Sequence, residues 1–122
     1  MGEGRDSLEA FVAGKSAYSI ALLKHFISRF TKVGKVTAIP AKTMIGIATD
    51  RRRIAYVTHI GRDFIRVVFP FPEPHASNLC FEKIAKVPGD VCQFNHHLRL
   101  MCEADINEEV YGFMKLAYEL GK

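Results

Sequence analysis

Cys92, His96, His97 and Cys102 are residue types that ligate borderline metals or form a thiol–imidazole pair. Their spacing limits that chemistry. Val91 to Cys102 alternates in polarity with period two and reads as one long strand. Cys92, Phe94, His96, Leu98, Leu100 and Cys102 share one face of it, while Gln93, Asn95, His97 and Arg99 share the other. At about 3.3 Å per residue, Cys92 and His96 stand roughly 13 Å apart, and His96 and His97 point in opposite directions. A zinc ion needs its ligands about 2.0–2.3 Å away, so neither a metal site nor a cysteine nucleophile is expected here. Cys80, Cys92 and Cys102 are an odd, sparse set, as expected for small buried hydrophobes in a reducing compartment.

His96 is a polar ring on an apolar face. Burying it is costly unless both nitrogens find partners. The sequence allows two arrangements. His96 is a core histidine, satisfied by backbone or by a hydroxyl such as that of Tyr56. Alternatively the face is hollow, and His96, Tyr56 and Phe94 line a ligand pocket.

A second set is basic. Arg51, Arg52, Arg53, Arg62, Arg66 and Arg99 are interspersed with His59 and His97. The Arg51–Arg53 run and Arg62 fall in consecutive turns, which lie at opposite ends of a meander and do not form one patch. Arg66 and Arg99 form a stripe if their strands turn the same face outward, with Phe64 beside Arg66. Arg52, Arg66 and Arg99 are therefore the candidates for a basic face, and nucleic acid is the partner such a face would suit. Solvated charges that resist edge pairing are the plainer reading. No phosphate loop and no Gly-x-Ser-x-Gly elbow occurs, and His59 with Asp63 or Asp50 reads as a surface pair. No catalytic residue and no cofactor is expected.

The elements that would hold these residues follow from periodicity. The chain has 122 residues, 48% of them hydrophobic, 25% charged and nine of them Phe, which suits one domain with a real core. Residues 1–6 are expected to be flexible and 7–122 to form the domain. Ser7 to Ala13 reads as a short helix, capped by Asp6 or Ser7 and stopped by Gly14. A stronger helix starts at the N-cap Ser16 and ends at Gly34. Its apolar stripe is Ile20, Leu23, Ile27 and Phe30, widened by Leu22, Phe26 and Val33. Val36–Ile39, Thr43–Thr49, Arg53–Ile60 and Phe64–Phe69 read as strands with short connections, hence antiparallel. Pro70 to Pro74 reads as a stiff crossover, and Cys80–Val87 as either strand or helix. The last helix is expected over about Ile106–Leu120, with Asp105 and Glu108 as a capping box. Strands bracketed by helices give an α+β class: an antiparallel sheet of five to six strands with N- and C-terminal helices packed on it.

Several segments together resemble the small YdhG-like domains of unknown function over most of the chain. They are Lys42–Ile47, Ile54–Val57 after the Arg-rich turn, the Pro-containing loop, Phe81–Val87, His96–Leu100, the acidic cap Asp105–Glu109 and Ala117-Tyr118. The resemblance implies an antiparallel sheet with packed helices. One relative of this type is described as a frataxin-like iron chaperone. That role needs clustered carboxylates, whereas this chain is net +4, and its acidic cluster sits where a helix N-terminus favours negative charge.

The expectation is a non-enzymatic module binding a small ligand or a protein, with nucleic acid as the alternative partner. Met1–Ala10 has no apolar run behind a basic start, and no apolar stretch reaches the roughly 18 residues of a membrane span. A cytoplasmic location and no membrane partner are expected. A small sheet with a free edge also suits a homodimer.

Overall fold

The computed structural model describes residues 3–78, 80–89 and 93–122. Cys92, and with it the expected start of the last strand, lies outside them.

The order is α1 (Glu3–Val12), α2 (Ala17–Val33), β1 (Thr37–Pro40), β2 (Ile45–Ala48), β3 (Arg53–Ile60), β4 (Ile65–Phe71), β5 (Lys83–Lys86), β6 (Phe94–Leu100) and α3 (Glu108–Gly121). The fold is α+β, with one antiparallel sheet ordered β1-β2-β3-β4-β6-β5. The first four strands form the expected meander. The chain then crosses to the far edge, lays down β5, and returns as β6 between β4 and β5.

The apolar side of the sheet is covered by helices. Ile45, Ile47, Val57, Ile65, Val67, Phe69, Leu98 and Leu100 are buried there with Leu22, Leu23, Phe26 and Phe30 of α2 and Val110, Met114 and Ala117 of α3. The buried face of α2 is centred on Leu22, Phe26 and Phe30 rather than on Ile20 and Ile27, which are half-buried. α1 packs beside the edge strand β1.

Local chemistry fixes the joints. The Ser16 hydroxyl accepts from Ser19 N–H, capping α2 as expected, and donates to the Arg62 carbonyl. The Ser19 hydroxyl donates to the Gly61 carbonyl. These two serines clamp the start of α2 to the β3–β4 turn. At the opposite end of the sheet, Thr49 Oγ1 donates to the Gly121 carbonyl at 2.8 Å and accepts from the Arg51 and Arg52 N–H groups at 3.2 Å each. That ties the Arg-rich turn to the end of α3.

Three expectations are corrected and one open alternative is settled. α1 begins at Glu3 rather than Ser7, because extending a formed helix by one turn costs little. Pro70 and Phe71 belong to β4 rather than to the crossover; Pro70, lacking an N–H, pairs there with Asn95. Cys80–Val87 resolves as a strand over Lys83–Lys86. The cap of α3 is Asn107, whose Oδ1 accepts from Val110 N–H at 3.0 Å. Asp105 instead accepts from Met101 and Cys102 N–H and closes a 3-10 turn over Glu103–Asp105, leaving Ile106 as a buried plug before the helix.

Candidate functional site

His96 is fully buried and its surroundings are packed. Its Nδ1 donates to the Phe94 carbonyl at 2.8 Å, and its Nε2 accepts from the His75 N–H at 3.0 Å. Those partners select the neutral Nδ1–H tautomer. Burial, the largest influence, holds its pKa below the ordinary histidine value. Around it stand Phe71 at 5.0 Å, Phe81 at 4.9 Å and the His75 ring at 5.2 Å, centroid to centroid. Phe113 of α3 closes the cluster, 5.7 Å from Phe71 and 4.7 Å from Phe81. His96 is thus a clasp. It holds the β4–β5 crossover against the covered face of the sheet through one backbone N–H.

The hollow-face arrangement is therefore corrected. Register puts Tyr56 beside Val68 and His97, on the side of the sheet opposite His96. Phe94 lies on the His96 side, and its carbonyl, not its ring, serves His96. His96, Tyr56 and Phe94 do not line one pocket.

The metal-type residues are not gathered either. His96 and His97 point to opposite faces, and Cys102 is exposed beyond the strand end. Cys80 is half-buried beside Glu109. Burial, and then that carboxylate, push its thiol up to about 11, so it stays protonated at neutral pH and is a poor nucleophile.

Among the described residues no helix covers the other side of the sheet, and Arg66 and Arg99 meet there. Arg66 and Arg99 are direct cross-strand partners on β4 and β6. Arg66 Nε donates to Glu82 Oε2 at 2.8 Å, and Arg99 Nε lies 3.7 Å from Glu82 Oε1. One carboxylate thus spans two guanidinium groups. Glu82 is held in place by its own N–H, which donates to the His97 carbonyl at 2.8 Å. Phe64 supports the pair from the side, with its ring 4.8 Å from the Arg99 guanidinium carbon and 5.7 Å from that of Arg66. The His59 ring lies 5.4 Å from the same phenyl. Gly61 makes room for this ring, since a Cβ there would collide with it.

Two cross-strand rows result. The first is His59, Arg66 and Arg99; the second is Tyr56, Val68, His97 and Lys83. A bulge at Thr58 brings His59, rather than Thr58, opposite Arg66. Arg53 folds across the neighbouring Gly46, where a Cβ would meet its Nε at 2.9 Å, and so reaches the Tyr56 end of the second row. Thr58, His59, Arg66, Glu82, Lys83 and His97 line a shallow groove of about 630 Å³. Burial foremost, then Lys83 and Arg66, hold the pKa of His97 below its ordinary value, so its ring is uncharged at neutral pH.

Of the three basic candidates, the structure unites Arg66 and Arg99 and leaves Arg52 apart. Arg52 sits in the β2–β3 turn by Ala117 and Leu120, roughly 20 Å along β3 from His59 at 3.3 Å per residue. Glu82 and Lys83 escaped the sequence reading, because nothing in the sequence places β5 beside β6. A second hollow of about 570 Å³ lies between α1 and α2, lined by Leu8, Val12, Ile20 and Leu23 with Glu9 and Lys24 among its walls.

Compared with known families, curated proteins and solved structures, the chain matches no family model, no curated protein and no solved structure.

Proposed function

We propose that this domain is a binding module of the YdhG-like kind, and that its working surface is the helix-free face of the sheet, which takes an anionic ligand. The observation that carries the reading is the Arg66–Arg99 pair sharing one carboxylate at the rim of the 630 Å³ groove. Two guanidinium groups held side by side, steadied by Phe64, are preorganised for a carboxylate or phosphate. Glu82 occupies that position within the chain and has the chemistry of the ligand group that would replace it. Arg53, Arg66, Lys83 and Arg99 set four cations against Glu82, the one acid among the described residues of this surface. The covered face supports the reading by contrast, since His96 has both nitrogens satisfied and is enclosed by rings.

Thermal unfolding in rising inorganic pyrophosphate, at constant ionic strength, tests the proposal. A ligand at one hundred times its Kd stabilises a fold by about 2.7 kcal/mol. The wild-type Tm should rise with pyrophosphate, and that of Arg66→Ala/Arg99→Ala should not. No rise in the wild type, or an equal rise in both, overturns the reading.

A further inference from the structure

The two rows of the open face differ in chemistry, and the difference is periodic. The His59–Arg66–Arg99 row presents charge. Two residues along β4, about 6.6 Å at strand rise, the Tyr56–Val68–His97–Lys83 row presents a seat made of two aromatic rings, those of Tyr56 and His97. Val68 lies between them and, only 4% exposed, is already covered. Tyr56 and His97 stand on the strands to either side, so their backbones are about 9.5 Å apart across two strand spacings. Both rings are half-buried, and cations close the two ends of the seat, Arg53 beside Tyr56 and Lys83 beside His97.

We infer that the anion taken by this face is a single strand of nucleic acid: one phosphate displaces Glu82 between Arg66 and Arg99, and an adjoining base stacks on the rings of Tyr56 and His97. The inference rests on the binding reading above and adds the class of ligand. An acidic peptide supplies the charge but has no recurring flat ring for the seat. A duplex supplies phosphates but keeps its base faces stacked inside, whereas a single strand offers both at short alternating intervals. The neutral ring of His97 is suited to stacking, and the surrounding cations draw the backbone toward the groove.

Fluorescence anisotropy of labelled 12-nucleotide oligo(dT) and oligo(U) at low salt tests the inference. Controls are a 12-base-pair duplex and a 12-residue poly-glutamate peptide. Both single strands should bind more tightly than either control, and Arg66→Ala/Arg99→Ala should weaken them at least tenfold. The double variant should also make the salt dependence shallower by roughly 0.7 in log–log slope per phosphate contact removed. Tyr56→Leu should weaken binding roughly 5- to 100-fold, the loss of one stacked base, while Tyr56→Phe retains it and both variants keep the wild-type circular dichroism spectrum. The Tyr56→Leu protein should still show the pyrophosphate-dependent rise in Tm, because it keeps both arginines. If pyrophosphate stabilises the wild type but the single strands bind no better than duplex or poly-glutamate, the inference falls and the anion-binding reading stands. If Tyr56→Leu binds like wild type, the seat is wrong and the inference falls as well. If neither pyrophosphate nor any oligonucleotide binds, both fall.

Discussion

The two histidines at the centre of β6 are adjacent in sequence and opposite in role. His96 faces the helices, with no accessible surface and with both nitrogens bonded to backbone groups. His97 faces outward into a groove between Lys83 and Arg66, half-exposed and free to meet a ligand. Burial lowers the pKa of both, yet for His96 the consequence is structural and for His97 it is the character of a surface. A polar group on an apolar face is not by itself a functional signal; it becomes one only when its bonding capacity is left over. By that standard the leftover capacity lies on the open side, where two arginines share a single acid.

Stability measurements can break this comparison. The largest effect should come from the covered face. Phe71 is 1% exposed and touches His75, His96 and Phe113, so Phe71→Ala should cost about 3–5 kcal/mol in urea unfolding. His96→Leu comes next, at about 1–3 kcal/mol, since it fills the space but leaves the His75 N–H without its acceptor. The smallest effect should come from the open face, where Arg66→Ala removes a half-exposed ion pair worth at most about 1 kcal/mol. A loss from Arg66→Ala as large as that from Phe71→Ala would make the arginine pair a structural brace rather than a binding group.

The histidines sharpen the comparison through pH. The folded-state pKa of His96 is below its unfolded value of about 6.5. The unfolded chain therefore takes up the proton first as pH falls, and stability present above pH ~6.5 is lost progressively below it. His97 is shifted the same way and adds to the slope. Urea midpoints between pH 7.5 and 5 should fall for the wild type and fall less steeply for His96→Leu. An unchanged slope in that variant would show that His96 is not held neutral by the fold.

Much of the fold was legible because it is written in local chemistry. Ser16 caps α2, β3 spans Arg53–Ile60, and the alternation of Phe94, His96, Leu98 and Leu100 against Asn95, His97 and Arg99 gives the two faces of β6. Alternation fixes which residues of one strand share a face. It does not fix which face of the next strand matches, and a bulge changes the parity. That is why Tyr56 was grouped with His96 when register places it beside His97. Arg66 and Arg99 could be named because both alternate outward, but their acid could not. Glu82 reaches them only because the crossover carries β5 to the far side of β6, a long-range choice that no local pattern encodes. Arg52 is named with them although its run reads as a turn, and a turn residue bound to Thr49 and lying by α3 belongs to neither row.

The central claim is that binding belongs to the open face and packing to the other. Its most direct test is a map of backbone amide shifts in a heteronuclear NMR titration of the wild-type domain with inorganic pyrophosphate. Shifts should be concentrated at Thr58, His59, Arg66, Glu82, Lys83, His97 and Arg99, with His75, His96 and Phe113 unmoved. Shifts centred on His75, His96 and Phe113, with the arginine pair silent, would contradict it.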